Sequence, residues 1–381
     1  MRRSEVFRAL VWLAFLPMAA GAQPWLTQEG GVWVRTFHDI ALAKPKLRIV
    51  AHGPVTVEGD TSTGFDYTVK VAVRARTKEQ ARALLEKADL RADSRDDWFV
   101  LTTPGRGAIT SVTMHAPRLR QAVVSTSDGA VEVYEVYGAV TVDTGADQVK
   151  VDRIHGDCTL STVGGDIHAG KVDGFLHCTT GAGAITARAV QGEAVLRTVG
   201  GDIEALMVGA AAHAETGGGT VHLGSVNGPV TVINGGGPIT VDTAAGIVTT
   251  HDMAGPVTVR QSGGISCDSA NGGVTLGKIN GPMHVRTAMG SIVANLAGSR
   301  LAESYLATRN GDITVVIPSN VGVRINAENQ LADSMRRIFS DFREIQPHRI
   351  GMRLQAEGRV NGGGPLLQIS TSTGTIFLKR Q

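Results

Sequence analysis

The middle of the chain repeats a nine-residue pattern of apolar and polar positions. From Gly129 onward, the residues two and four places after each repeated glycine are apolar, and the residue between them is mostly polar. Alternation with a period of two is typical of a strand that buries one face. Each unit therefore predicts a strand of about five residues followed by a turn of about four. The first apolar position of successive units holds Val131, Val140, Val149, Cys158, Ile167, Leu176, Ile185, Ala194, Ile203, Ala212, Val221, Val230, Ile239, Val248 and Val257.

Glycine marks the turn that separates successive strands. Between Gly129 and Gly290 the nine-residue spacing, with one residue lost before Gly263, places glycine at 17 of 19 positions, a frequency that chance does not explain. Asp147 and Ala210 occupy the other two positions. Such regularity favours turns that need either a positive φ or the close approach of two backbones.

A second, longer period shows how the units stack. Threonines and aliphatic residues recur at every eighteenth position, in alternate units, as Thr126, Thr144, Thr162, Thr180, Thr198 and Thr216, and as Val136, Ile154, Val172, Val190, Val208 and Val226. Nine residues cannot bury a face alone, so the units must stack, and identical residues one coil apart form ladders. The chain is thus predicted to be all-β, a parallel β-solenoid (β-helix) of about 18 residues and two strands per coil. Ile167, Ile185 and Ile203 should share one inward column. An antiparallel meander of nine-residue hairpins is the competing arrangement, and it predicts no such ladders.

The spacing changes after Gly228. Gly-Pro dipeptides at Gly228, Gly255 and Gly281 are separated by about three units instead of two. This spacing predicts that the coils widen to three strands over about residues 228–298, with Gly246-Ile-Val-Thr-Thr and Gly272-Gly-Val-Thr-Leu as the extra units. Val230 would then neighbour Val257, whereas a neighbouring Val248 would mean that the coil keeps two strands. Methionine fills irregular gaps well, and the thicker core would be filled by Met253, Met283 and Met289.

The residues on either side of the repeats predict small caps that cover the open strand edges. In 23–125, a Gly-Pro-Val-Thr-Val segment within 47–57 predicts a first solenoid strand, and 65–75 and 98–103 predict further strands. Thr77-Lys-Glu-Gln80 resembles a capping box at the start of a short helix. The apolar face of this helix would contain Ala81, Leu84, Leu85 and Ala88.

The C-terminal cap is predicted to combine a helix with final solenoid strands. One helical face would hold Leu331, Met335, Ile338, Phe339 and Phe342. Residues 364–378 return to the repeat pattern. The predicted organisation is therefore an export signal over 1–22, an N-terminal flank over 23–125, solenoid repeats over 126–317 and a C-terminal cap over 318–381.

The N-terminal residues have the features of an export signal. Three arginines within the first eight residues precede an apolar run over 9–16, and Ala20-Gly21-Ala22 supplies the small residues of a cleavage site. Gln23 in place of cysteine excludes lipoprotein attachment at this site. No later segment approaches the eighteen apolar residues of a transmembrane helix. We expect cleavage near Ala22 and a soluble mature chain, either periplasmic or secreted to the cell surface.

Charge and composition narrow the range of partners. Removal of residues 1–22 takes away three Arg and one Glu, so 34 basic and 34 acidic residues remain. Such a balance lacks the basic footprint of a nucleic-acid-binding protein. Aromatic residues make up 4% of the chain and glycine contributes 48 residues, which suits thin layers joined by tight turns.

Several of these segments together resemble a known family. The export signal, the early Gly-Pro-Val-Thr-Val strand, Val-Tyr-Gly-Ala-Val-Thr-Val at 136–142, Asn-Gly-Asp-Ile-Thr-Val-Val-Ile-Pro at 310–318 and Ser-Thr-Gly-Thr-Ile-Phe-Leu at 372–378 are similar to the DUF4097 "putative adhesin" family. The resemblance covers most of the mature chain. It implies a surface or envelope β-helix and carries no catalytic motif.

The polar residues of the repeats offer two possible metal chemistries. Gly-Asp repeats occur in calcium-binding β-rolls, which makes Asp157, Asp166, Asp202 and Asp312 candidates. Here the Asp directly precedes the apolar residue and most units lack it, so a solvated or turn-capping role is favoured over calcium binding. Outward histidines occur at His168, His177, His213, His222 and His284. Histidines that share a column lie at least two coils apart, and Val195 lies between His177 and His213. This separation disfavours binding of one metal ion by two of these histidines. No metal or cofactor is therefore predicted.

The cysteines and the flanks add no catalytic group. Cys158, Cys178 and Cys267 fall at inward positions and are expected to be buried thiols, because the first two occupy different inward positions and would bridge poorly. No Ser/His/Asp or paired-carboxylate arrangement appears, and units of constant length cannot wall a cleft. The segment around Arg336 and Arg337 could lie on a membrane surface, but acidic neighbours favour capping.

The sequence therefore predicts a non-enzymatic exported adhesin or envelope scaffold without catalytic, cofactor or metal residues. Its partner would be a protein or glycan of the cell envelope, and its oligomeric state is not determined by the sequence. Two alternatives stay open: a glycan-processing β-helix enzyme, and a calcium-dependent β-roll-like binding module.

Overall fold

A computed structural model describes residues 26–29, 31–105, 107–296, 301–331 and 337–381. The predicted export signal and its cleavage after Ala22 lie outside these residues. In the N-terminal part the structure forms β1 (Thr27–Glu29), β2 (Val32–Leu42), β3 (Lys46–Ala51), β4 (Val55–Gly59), β5 (Gly64–Val73), helix α1 (Lys78–Glu86), β6 (Arg91–Arg95), β7 (Trp98–Thr102), β8 (Ile109–Ala116) and β9 (Gln121–Thr126). Across the described ranges, no helix is both long and apolar enough to span a bilayer.

The remaining strands follow the repeats. They are β10 (Val131–Tyr134), β11 (Ala139–Thr144), β12 (Val149–Asp152), β13 (Cys158–Thr162), β14 (Ile167–Val172), β15 (Leu176–Thr180), β16 (Ile185–Val190), β17 (Ala194–Thr198), β18 (Ile203–Val208), β19 (Ala212–Thr216), β20 (Val221–Val226), β21 (Val230–Asn234), β22 (Ile239–Ala254), β23 (Val257–Asn271), β24 (Val274–Ile279), β25 (Met283–Met289) and β26 (Ile292–Asn295). The C-terminal strands are β27 (Ser304–Asn310), β28 (Ile313–Ile317), β29 (Val323–Asn329), β30 (Ile338–Ser340), β31 (His348–Ile350), β32 (Arg353–Val360), β33 (Leu366–Thr371) and β34 (Ile376–Arg380).

The repeats form a parallel β-solenoid with two strands per coil. Each strand pairs in parallel with the strand one coil later, so that Ile167 lies beside Ile185 and Ile185 beside Ile203. These three side chains are inward and at most 1% exposed, as the ladder predicted. Parallel pairing between successive coils excludes the antiparallel meander.

The two strands of a coil belong to two opposite faces. The front face consists of β3, β9, the odd strands β11 to β21, the second halves of β22 and β23, then β25, β27, β33 and β29. The back face consists of β4, the even strands β10 to β20, the first halves of β22 and β23, then β24, β26, β28 and β34. The inward residues of both faces make one thin core of Val, Ile, Leu and Ala.

The predicted widening to three-sided coils is wrong. Val230 pairs with Val248, and Ile239 pairs with Val257, so the coil keeps two strands beyond Gly228. A spacing of three units is one and a half coils, which places successive Gly-Pro dipeptides at opposite corners. Gly246-Ile-Val-Thr-Thr begins the front-face half of β22, which bends around the corner without a break. The gap-filling role predicted for the three methionines fails as well, because Met283 is buried but Met253 and Met289 are exposed.

A column of buried threonines joins the front-face strands to the following turn. The Oγ1 of Thr180 donates to the carbonyl oxygen of Gly165 in the preceding coil (2.9 Å) and accepts from the backbone N–H of Gly183 (3.2 Å). The same two hydrogen bonds recur at Thr198 and Thr216. Threonine therefore recurs every 18 residues because its hydroxyl is the hydrogen-bond partner of one N–H and one carbonyl group of the turn backbones at this corner.

The repeated glycine at this corner is required by close backbone approach. A Cβ at Gly183 would lie 2.0 Å from the carbonyl oxygen of Gly165. Gly183 is not among the residues with positive φ, so of the two predicted reasons for glycine the close approach applies here. The preceding column is open, since a Cβ at Gly164 or Gly200 would meet nothing within 4 Å.

The solenoid extends into both flanks. β3 pairs in parallel with β9, and β4 with β10, so the Gly-Pro-Val-Thr-Val segment is part of the first coil as predicted. The intervening residues form an antiparallel extension of β2, β5 and β8, and α1 lies near β5 and β2. The side chain of Thr77 caps α1 as predicted, and Ala81 and Leu85 are buried, but Leu84 is exposed.

The C-terminal cap differs from its prediction. β33 and β34 continue the front and back faces, as the repeat pattern of 364–378 predicted. The predicted helix is wrong where the structure describes it, because Ile338–Ser340 forms β30 and pairs in parallel with β34. Leu331 is exposed, and Met335 lies outside the described residues. Alternate burial of Ile338 and Phe339 fits a strand period of two, which the helical interpretation of the same apolar residues missed.

Candidate functional site

The four aspartates considered for calcium each cap a backbone N–H one coil onward. Asp166 Oδ1 accepts from the N–H of Ala184 (2.8 Å), and Asp202 Oδ1 accepts from the N–H of Thr220 (2.6 Å). Asp157 and Asp312 do the same for Phe175 and Thr375. The turn-capping interpretation of these residues is thus confirmed. In the ranges that the structure describes, no group of three or more His, Cys, Asp or Glu side chains is placed to hold a metal ion.

The outward histidines lie on different faces and do not converge. His168 and His222 project from the back face, and His177, His213 and His284 from the front face. Val195 separates His177 from His213, as predicted. His222 lies between Glu204 and Asp242, 3.6 Å and 3.2 Å from their carboxylate oxygens. These histidines therefore belong to surface polar ladders.

The three cysteines are free, buried thiols. Cys158 lies beside Leu176, and Cys178 beside Leu160, at the two different inward positions that the sequence predicted. Burial raises the pKa of Cys158 to about 12 and that of Cys267 to about 11, and it raises the pKa of Cys178 well above its ordinary value. A thiol is nucleophilic as the thiolate, so none of the three is suited to covalent chemistry at neutral pH.

Polar side chains also form a ladder along the corner where the back face turns to the front face. The guanidinium of Arg118 lies 4.5 Å from the ring centroid of Tyr137, which stacks on His155 at 4.6 Å. His155 Nδ1 is 2.7 Å from Asp173 Oδ2, and Gln191 Nε2 donates to Asp173 Oδ1 at 2.8 Å. The hydrogen bond from His155 lowers the pKa of Asp173. Because these groups bind one another, the ladder stabilises successive coils and leaves few polar groups for a ligand.

A shallow concave surface lies on the front face near its C-terminal end. This front-face hollow has a volume of about 530 Å³ and is bounded by Asp268, Arg286, Tyr305, Arg309, Gln330 and Ser370. The outward residue Ala307 is the Cα partner of both Arg286 and Ser370, so two small side chains lie side by side next to Arg286.

Each side of the hollow has its own chemistry. On one side, the guanidinium of Arg286 lies over the ring of Tyr305, 5.4 Å from its centroid. On the other, Ser372 Oγ donates to Gln330 Oε1 (3.0 Å) and Gln330 Nε2 donates to Ser370 Oγ (3.4 Å). The hollow therefore combines cationic groups with a hydrogen-bonded wall of hydroxyl and amide groups.

Some arginines elsewhere on the two faces form ion pairs. Arg197 on the front face bridges to Glu215 at 3.2 Å, and Arg260 on the back face bridges to Asp242 at 2.7 Å. Within the part of the chain that the structure describes, neither Arg286 nor Arg309 makes an ion pair. Among the described residues, the hollow thus presents two guanidinium groups without an ion-pair contact, and the nearest carboxylate along the strands belongs to Asp268, the Cα partner of Arg286.

The amino-acid sequence alone does not indicate this hollow. β27 and β33 are neighbours in the front face although the cap separates Ala307 from Ser370 along the chain. The only available sequence signal was the small residue Ala307 at an outward position next to Tyr305, and it has no meaning until the pairing of the two strands is known.

Comparisons with known proteins add little to the geometry. No family model and no curated protein matches the chain, so membership of the DUF4097 family stays a prediction. Similar solved structures include a putative adhesin from Bacteroides fragilis, 14% identical over 66% of this chain and 98% of that chain, with a TM-score of 0.32. Others are a putative cell adhesion protein from Clostridium sporogenes (9% identity, 91% and 100% covered, TM-score 0.19) and a putative lipid binding protein from Parabacteroides distasonis (13%, 76% and 98%, 0.25). Similarity at this level assigns neither a family nor a function to the chain.

Proposed function

We propose that the protein is an exported, non-enzymatic binding module of the bacterial envelope, which holds a surface ligand on the front face of its solenoid. The observation that carries the proposal is the front-face hollow, a concavity with guanidinium, hydroxyl and amide groups on a continuous ladder of hydrogen-bonded strands. A rigid surface loses little conformational entropy when a ligand binds, which favours recognition by a fixed face.

The chemistry of the other candidate groups supports binding over catalysis. The four Gly-Asp carboxylates bind backbone N–H groups, and the thiols are buried. The strands of the front face follow one another at about 4.8 Å spacing. A ligand that follows the face would therefore meet a regular series of side chains, as expected of an adhesive or scaffold surface.

The proposal can be tested with the mature chain, residues 23–381, and fractionated envelopes of the source bacterium. Fluorescently labelled protein is added to isolated peptidoglycan, outer-membrane and surface-polysaccharide fractions, and saturable binding to at least one fraction is expected. A matched protein with Ala307→Trp, which fills the hollow without adding a charge, should bind less. Binding that the filled variant retains in full, or the absence of saturable binding to every fraction, would contradict the proposal.

Two further measurements separate the alternatives. Release of new reducing ends from any polysaccharide fraction would favour a glycan-processing enzyme, and we expect none. Thermal melts with and without calcium should coincide, because the Gly-Asp carboxylates already bind backbone N–H groups. A calcium-dependent rise in melting temperature would instead favour a β-roll-like module.

A further inference from the structure

The front-face hollow has the shape of an open binding site for an extended molecule. Its volume of about 530 Å³ falls within the range of about 300–1,000 Å³ that small-molecule sites occupy. It is a surface depression between coils, and its base is formed by Ala307 and the buried Thr308. A chain-like ligand could therefore lie across it and continue along the face in either direction.

The charge of the hollow favours an anionic ligand. Arg286 and Arg309 contribute two guanidinium groups, and Asp268, the Cα partner of Arg286, contributes one carboxylate, so the charged side chains leave an excess of one positive charge. Guanidinium groups bind carboxylates through paired, charge-assisted hydrogen bonds. The ring of Tyr305 supports the Arg286 guanidinium from one side, which restricts its motion and prepares it for a ligand. Asp268 would disfavour a second anionic group at its end of the hollow.

The opposite wall favours a ligand rich in hydroxyl groups. Ser372, Gln330 and Ser370 form a hydrogen-bonded chain whose hydroxyl and amide groups can both donate and accept. A sugar ring presents hydroxyl groups that likewise donate and accept. A lipid would need large apolar side chains, and the residues that line the hollow include no Val, Leu, Ile, Met or Phe; their apolar surface comes from alanine, threonine, the stems of the arginines and the ring of Tyr305.

We infer that the front-face hollow binds an acidic saccharide, a glycan whose sugar carries a carboxylate that Arg286 and Arg309 contact while Gln330, Ser370 and Ser372 bind the ring hydroxyls. The inference rests on the proposed binding function and specifies its ligand class. The ring of Tyr305 flanks the sugar, and the glycan continues along the front face beyond the hollow.

Isothermal titration calorimetry with the mature chain tests the inference with defined probes. Tetragalacturonate, an acidic oligosaccharide, is compared with maltotetraose, a neutral one, and with inorganic phosphate. We expect binding of tetragalacturonate, at least about tenfold weaker binding of maltotetraose, and an affinity that falls as salt is raised. Arg286→Gln and Arg309→Gln should each weaken tetragalacturonate binding by about tenfold or more.

Arg197→Gln is the matched control, because it removes the same charge from the same face at an arginine already bridged to Glu215. It should leave the affinity for tetragalacturonate unchanged, and circular dichroism verifies that all three variants are folded. Equal loss in the control and in the two hollow variants would overturn the site. Equal binding of maltotetraose would overturn the role of the carboxylate, and phosphate that competes as strongly as tetragalacturonate would reduce the hollow to a simple anion site.

The outcome also separates this inference from the proposed function. If the protein binds an envelope fraction in the earlier assay but none of the acidic probes, the saccharide inference fails and the binding function stands. If it binds neither envelope fractions nor probes, both fail.

Discussion

The threonine column provides the most specific test of how the coils are held together. Thr180 is 2% exposed, and its hydroxyl joins two backbone groups of successive turns, the carbonyl of Gly165 and the N–H of Gly183. Thr180→Val keeps the shape of the side chain and removes both hydrogen bonds. Thr179→Val is the matched control, because the adjacent side chain is exposed and points outward.

The expected cost follows from the two groups that lose their partner. A buried backbone group without a hydrogen bond costs about 1–3 kcal/mol, so two groups cost about 2–6 kcal/mol. The additional buried methyl group returns roughly 1 kcal/mol. We therefore expect Thr180→Val to lower the free energy of unfolding by about 1–5 kcal/mol, and Thr179→Val to change it by less than about 0.5 kcal/mol.

Urea unfolding followed by circular dichroism measures the difference in free energy between the two variants. Hydrogen exchange adds a local measurement, because the amide of Gly183 donates to Thr180 Oγ1 and should exchange faster only in Thr180→Val. Equal stability of the two variants, together with unchanged exchange at Gly183, would refute the role that we assign to the column.

Three further substitutions test other parts of the fold. Gly183→Val should destabilise the protein by more than Ala182→Val in urea unfolding, because a Cβ at Gly183 would lie 2.0 Å from a backbone oxygen. The column that contains Ala182 is open, and similar unfolding midpoints for the two variants would contradict this explanation. Ile185→Asp should abolish cooperative unfolding or the fold itself, since it places an unpaired charge at a position that is 0% exposed, and a soluble variant with a native melt would count against the inward column. Burial raises the pKa of Asp252. Its contribution to the free energy of unfolding is therefore fully present below the ordinary pKa of 3.8 and is lost as pH rises through the raised pKa. Asp252→Asn should therefore be more stable than the wild type at neutral pH, with a difference in unfolding free energy that closes toward pH 3.8; a difference independent of pH would refute the assignment.

The repeating part of the fold could be predicted because each coil repeats the same physical problem. The inward column of Ile167, Ile185 and Ile203, and the parallel pairing of strands one coil apart, follow from burial with a period of two and from ladders of like residues. Each ladder position is constrained by its neighbours in two other coils, so a single irregular residue does not hide the pattern. This redundancy is absent outside the repeats.

The failed predictions share one physical cause, which is that a spacing along the chain does not specify a position in space. The Gly-Pro spacing of three units fits one turn of a wider coil as well as one and a half coils of the same width, and only the pairing of Val230 with Val248 decides. Likewise, the apolar residues Ile338 and Phe339 fitted a helical face until β34 supplied a strand partner. Local pattern predicts which residues are buried better than it predicts the partner that buries them.

The front-face hollow illustrates the same limit for the candidate site. One side of the hollow comes from β27, and the other comes from β33 and the residues that follow β29. The cap separates these two sides along the chain. None of Arg286, Arg309 and Gln330 belongs to a motif. They acquire a common function only because the chain returns to the solenoid after forming the cap. The return of the strand pattern could be predicted, but the strand that it joins could not.

Disulfide trapping of the front-face pairing tests the central structural claim most directly, because the hollow exists only if β33 lies beside β27. In the double variant Ala307→Cys/Ser370→Cys, the two residues are Cα partners on adjacent parallel strands, at a separation of about 5 Å that suits a disulfide. Mild oxidation followed by peptide mass spectrometry should give the 307–370 disulfide in high yield, while the native thiols stay reduced. The control Ala307→Cys/Phe377→Cys places the second cysteine on the back face and should give none. Efficient 307–377 cross-linking, or no 307–370 cross-linking in the folded protein, would contradict the pairing and remove the basis for the hollow.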